Sequence, residues 1–125
     1  MVDARHRRGA DGEDAAVAEL QRRGYRLIER NFRCRAGEID IVAEHEDALC
    51  FVEVRTRRQG AMVDGLASVD HRKRGRLIRA AQYYCLVRSV GERAMRFDVV
   101  SVRALNAGGF DAELIRNAFD AGGLP

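Results

Sequence analysis

The sequence predicts an α/β domain in which a mixed sheet is flanked by helices, in the order helix, three-strand meander, helix, strand. Three observations predict it. Apolar residues recur at helical spacing in two separated stretches, three short runs between them alternate with near period two, and a further β-branched run follows the second helical stretch. A helical connection between the third and fourth strands permits a parallel crossover there.

A chain of 125 residues is about one domain long and can bury a core without disulfide staples. Apolar residues at 46% against 33% charged are globular proportions, which excludes a disordered chain. The organisation expected is a flexible basic arm at 1–9, a single domain at 10–119 and a frayed C-terminus at 120–125. No apolar run reaches the ~20 residues of a membrane span, and no apolar stretch follows the charged start, so a cytoplasmic protein is expected. Cys34, Cys50 and Cys85 are odd in number and lack a C-x-x-C pair, so they read as small apolar residues in a reducing compartment.

The first helix is expected from Asp11, as N-cap, to Arg23, with Gly24 as its stop. Glu13 precedes Ala16, Val17 and Leu20 by three, four and seven positions, which puts a carboxylate on the apolar face. Strands are expected at Tyr25–Arg33, Glu38–Glu44 and Ala48–Thr56, separated by the turns Arg35-Ala36-Gly37 and His45-Glu46-Asp47. Arg57–Ser68 reads as a loop. Val69–Val90 repeats Leu77, Ala81, Tyr84 and Cys85 on one face and predicts a longer helix, and Met95–Ala104 a buried strand. Phe110–Phe119 is an edge strand or a short helix.

A turn centred on Glu46-Asp47 sets Val42 opposite Phe51, Asp40 opposite Glu53 and Glu38 opposite Arg55. Opposed side chains in an antiparallel ladder lie about 5 Å apart, where like charges destabilise. Leu49, Phe51, Glu53 and Arg55 share one face of their strand. A carboxylate pair in such surroundings must be protonated, paired with a cation or bound to a metal. Hard oxygen ligands with room for water suit Mg²⁺. The alternative is a structural cluster neutralised by Arg55 and other arginines. A one-residue slip would also part the two acids to opposite faces.

The segment Gly37-Glu38-Ile39-Asp40-Ile41-Val42-Ala43, followed by Phe51-Val52-Glu53-Val54-Arg55-Thr56-Arg57, resembles the YraN-like family of predicted endonucleases in the PD-(D/E)XK superfamily, whose fold is similar to that of Holliday junction resolvases. Gly12-Glu13, Arg30-Asn31, Lys73 and Arg96-Phe97-Asp98-Val99-Val100 look like further family positions. The resemblance implies a restriction-endonuclease-like core and a catalytic set of Glu13, Asp40, Glu53 and Arg55. Asp40, Glu53 and Glu13 would be the ligands of Mg²⁺ or Mn²⁺, and the reaction phosphodiester hydrolysis of structured or branched DNA. It also makes a homodimer an option. Arg55 stands where the family usually carries lysine; arginine is always charged and supplies no base. Lys73 is an alternative source of that cation.

Arg72, Arg76 and Arg79 recur at helical spacing beside Lys73, and Arg57 and Arg58 open the loop that follows the third strand, so these residues are the expected nucleic-acid contacts. A solvated basic helix is the plainer reading. His6, His45 and His71 read as surface residues, Asp98 as a buried partner of a nearby arginine, and Glu38 as a neighbour of Arg55. Besides a nuclease, the sequence leaves open a binding module that has lost turnover and a protein-interaction domain.

Overall fold

A computed structural model describes residues 4–60 and 70–120. Its elements are α1 (Ala4–Arg22), β1 (Arg26–Cys34), β2 (Gly37–His45), β3 (Ala48–Arg58), α2 (His71–Val87), β4 (Met95–Ala104) and β5 (Phe110–Phe119). The strands form one five-stranded sheet in the order β1-β2-β3-β4-β5. Antiparallel pairing joins β1 to β2, β2 to β3 and β4 to β5, while β3 and β4 run parallel across the α2 crossover. This is the α/β, helix-flanked mixed sheet that the sequence predicts, with Phe110–Phe119 resolved as a strand, and it is consistent with a restriction-endonuclease-like core.

The element boundaries differ from expectation for local reasons. Helix α1 begins at Ala4 rather than at Asp11 and so takes in most of the basic segment. It ends as the sequence indicates, with Gly24 at φ 89°, Tyr25 N–H donating to Leu20 O at 2.9 Å and Gly24 N–H to Gln21 O at 3.0 Å. The expected loop at 57–68 starts later, because Arg57 and Arg58 continue β3 opposite Arg103 and Ala104. Gln59 and Gly60 form a turn, and the rest of that loop, 61–68, and residues 121–125 of the expected frayed end lie outside the described residues. Asp70 caps α2 by accepting from Lys73 N–H at 3.0 Å. The same helix stops at Val87 because Ser89 adopts φ 53° and Val90 N–H returns to Cys85 O at 2.9 Å.

The core has a layer on each face of the sheet. Leu77, Ile78, Ala81 and Tyr84 of α2 pack on Val42, Leu49, Phe51, Phe97 and Val99. Ala16 and Leu20 of α1 pack on Ile41, Ala43, Cys50, Val52, Val100 and Val102. The β2–β3 hairpin turns on Glu46 and Asp47 at φ 50° and 67°, the paired left-handed conformation of a tight two-residue turn. That turn fixes the register His45↔Ala48 through Val42↔Phe51 to Ile41↔Val52. Among the described residues no helix is long and apolar enough to cross a membrane.

Candidate metal centre

Beyond Ile41↔Val52 the strands β2 and β3 part, since β2 goes on pairing with β1 to Gly37 while β3 follows β4 to Arg58. Asp40 and Glu53 are the next residues after that last pair, one on each side of the fork. Asp40 Oδ2 accepts from Val54 N–H at 2.8 Å, so a side chain replaces the ladder bond at the parting. The two carboxyls also hydrogen bond to each other. Burial, then the charge of Glu53, pushes Asp40 up to about 8 against the pull of the Val54 N–H. Burial also raises Glu53, opposed by the charges of Arg55 and Lys73. Burial and mutual repulsion therefore favour the protonated form of the pair.

Strict alternation fails at this point. Ile39 packs in the α2 layer and Ile41 in the α1 layer, although residues two apart on a strand ordinarily share a face. On β1, Phe32 likewise packs in the α2 layer, while Arg30 reaches α1, its Nε donating to Glu13 Oε1 at 2.9 Å and its Nη2 to Asp14 Oδ1 at 2.8 Å. Asn31, at φ 55°, lies between the register pairs Arg30↔Ile41 and Phe32↔Ile39 and so stands opposite Asp40. Its Nδ2 donates to Glu13 Oε1 at 3.1 Å. Glu13 is thus engaged by Arg30 and Asn31 rather than by the acid pair. Among the described residues, no three His, Cys, Asp or Glu side chains gather closely enough to hold a metal. Two adjacent carboxylates nevertheless fit Mg²⁺ or Mn²⁺, which complete their shells with water and phosphate oxygen.

Arg55 is on the strand face of Glu53, its Nε 3.5 Å from Glu53 Oε1, where the lysine of the resembled motif would stand. Arg72, Lys73, Arg76 and Arg79 are all exposed on α2. Lys73 is close enough to act on Glu53, and Arg76 lies against Gly37, its Cβ 3.5 Å from where a Cβ on the glycine would be. Arg58 is exposed and Arg57 half-buried at the end of β3. Glu38 does not face Arg55 as expected; β2 has turned away, and Glu38 sits across from Arg33 at 3.7 Å.

A second polar group is only half visible in the sequence. Asp98, fully buried on β4, accepts from Arg96 Nε at 2.9 Å as expected, and also from Tyr25 O–H at 2.7 Å and Asn117 N–H at 2.9 Å. Arg96 Nη2 donates to His45 Nδ1 at 3.0 Å, and the His45 ring stacks on Tyr25 with centroids 4.2 Å apart. His45 is therefore not the surface residue expected, because the tight turn after it folds its ring back over Tyr25. Burial is the main cause that raises the Tyr25 hydroxyl, helped by Asp98. Cys34, Cys50 and Cys85 are free.

Comparison with known proteins matches residues 12–102 to the model of the uncharacterised protein family UPF0102. A UPF0102 protein of Moorella thermoacetica is 51% identical over 102 residues, 82% of this chain and 85% of its own length. One from Nitratidesulfovibrio vulgaris strain DP4 is 45% identical over 120 residues, covering 96% and 89% of the two chains. Another from Persephonella marina is 42% identical over 113 residues, covering 90% and 93%. The matched region spans both acids of the fork, Glu13 and the basic face of α2, and the chain belongs to the UPF0102, YraN-like family.

Proposed function

We propose that the protein is a divalent-metal-dependent nuclease of the PD-(D/E)XK type that hydrolyses phosphodiesters of structured or branched DNA. The observation that carries this reading is the acid pair Asp40 and Glu53 at the β2–β3 fork, with the charges of Arg55 and Lys73 acting on Glu53. Asp40 and Glu53 would hold Mg²⁺ or Mn²⁺, with Glu13 released from Arg30 as a third ligand. Such an ion, when bound, stabilises the charge that develops on phosphate during displacement. Arg55 supplies fixed positive charge beside Glu53, and Lys73 is a second cation close enough to act on it. Arg57, Arg58, Arg72, Arg76 and Arg79 would bind phosphates on either side of the cleavage point, giving salt-sensitive affinity without sequence readout.

The deciding experiment incubates the protein with labelled junction, flap and single-stranded DNA plus Mn²⁺. Cleavage is expected from the wild type and none from Asp40→Ala; no cleavage, or cleavage that survives the substitution, would sink the reading. Arg55 at 3.5 Å from Glu53 favours a second reading, a nucleic-acid-binding module impaired in turnover. That reading requires salt-dependent DNA binding by an inactive wild type and activity gained in Arg55→Lys.

A further inference from the structure

Glu13 differs from the other two acids in how it is held. Asp40 and Glu53 are placed by the strands that carry them, whereas Glu13 comes from a helix that packs across the sheet. Its neighbour Gly12 lies against Thr56 of β3, and Glu13 itself meets Arg30 and Asn31 of β1. This turn of α1 therefore reaches from β1 to β3, the two neighbours of β2. Contact with β1 depends on the break at Asn31. An L-residue other than glycine rarely adopts φ near 55°, and asparagine tolerates it better than most. Had β1 kept its alternation, Arg30 would share the face of Phe32 and point into the α2 layer, away from Glu13.

We infer that Asn31 is a positioning residue of the site: its left-handed backbone turns Arg30 toward α1, and its amide joins Arg30 in holding Glu13 above the kink at Asp40. This rests on the metal-site reading above and assigns Asn31 a part in it. Asn31 is exposed on an edge strand, so it can be replaced with little disturbance of the core. Glycine retains the backbone freedom and deletes the amide, while alanine removes both.

The test is calorimetric titration of Mn²⁺ into wild type, Asn31→Gly, Asn31→Ala, Glu13→Gln and the double variant Asn31→Gly with Glu13→Gln, with thermal melts to establish folding. Loss of a residue that orients a ligand lowers metal affinity by about tenfold. That loss is expected for Asn31→Gly and a larger one for Asn31→Ala. If Asn31 acts through Glu13, the glycine substitution has no further effect once Glu13 is glutamine. Wild-type affinity in Asn31→Gly, or an equal loss with and without the Glu13 carboxylate, would overturn the role of Asn31 and leave the metal site standing. Absence of Mn²⁺ binding by the wild type would overturn both.

Discussion

Gly12 lies so close to Thr56 that a Cβ on the glycine would sit 2.5 Å from the threonine Oγ1 and 3.3 Å from its Cβ. Helix α1 rests on the end of β3 at this contact, and threonine is stiff about χ1. Gly12→Ala should therefore destabilise the protein by about 1–3 kcal/mol, even though alanine is the better helix former. Adding Thr56→Ala removes the nearest atoms and should recover much of that loss. Denaturant melts of the two single variants and the double would measure the coupling.

Asp40 makes stability depend on pH in a definite direction. Its folded value is about 8 against an ordinary 3.8, so the folded state binds the proton more tightly. Its contribution is complete below about pH 4 and declines as pH rises toward about 8. Asp40→Asn should gain stability relative to wild type across that window and show no such gain below it. Urea melts at pH 4, 6 and 8 would check the trend.

Metal binding requires the deprotonated pair, so it competes with the same proton. Mn²⁺ should raise the melting temperature of the wild type more at pH 8 than at pH 6, and should leave that of Asp40→Ala unchanged. Equal stabilisation of Asp40→Ala would place the ion elsewhere.

The buried hub at Asp98 predicts a stability effect separate from the acid pair. Asp98→Ala strands Arg96, whose side chain is 14% exposed, and leaves the Tyr25 hydroxyl and Asn117 N–H without their acceptor. Removing one partner of a buried ion pair is destabilising by about 3–5 kcal/mol. Asp98→Asn keeps the shape and should lose less. Chemical denaturation would rank the two.

For nucleic acid, Arg72→Gln, Arg76→Gln and Arg79→Gln combined should weaken binding to all DNA substrates alike. The slope of log affinity against log salt should fall in magnitude by up to about 3, roughly one for each phosphate that is no longer neutralised. An unchanged slope would show that this face of α2 is merely solvated.

The features legible in the sequence are those governed by local periodicity. The opposition of Val42 and Phe51, the apolar seam of α2 and the buried charge of Asp98 all follow from patterns a few residues long. What local pattern hides is every departure from period: the left-handed Asn31, the resulting switch of Ile39 to the α2 layer, and the turning away of Glu38 from Arg55. His45 reads wrongly as a surface residue because its partners, Tyr25 and Arg96, are 20 and 51 positions distant. The Glu46-Asp47 turn is legible although Glu-Asp is not a strong pair for a two-residue hairpin; the ladder on both sides leaves only two residues to close it.

The fork between β2 and β3 leaves the spacing of the two acids to be governed differently from that of any other cross-strand pair in the sheet. Everywhere above Ile41 and Val52 separation is clamped by backbone bonding. At Asp40 and Glu53 it is set by the splay of two jaws, one made by the antiparallel pair β1 and β2 and the other by the parallel pair β3 and β4. A wedge driven between the jaws, or a shortening of either, would retune the gap between the carboxyls without touching them.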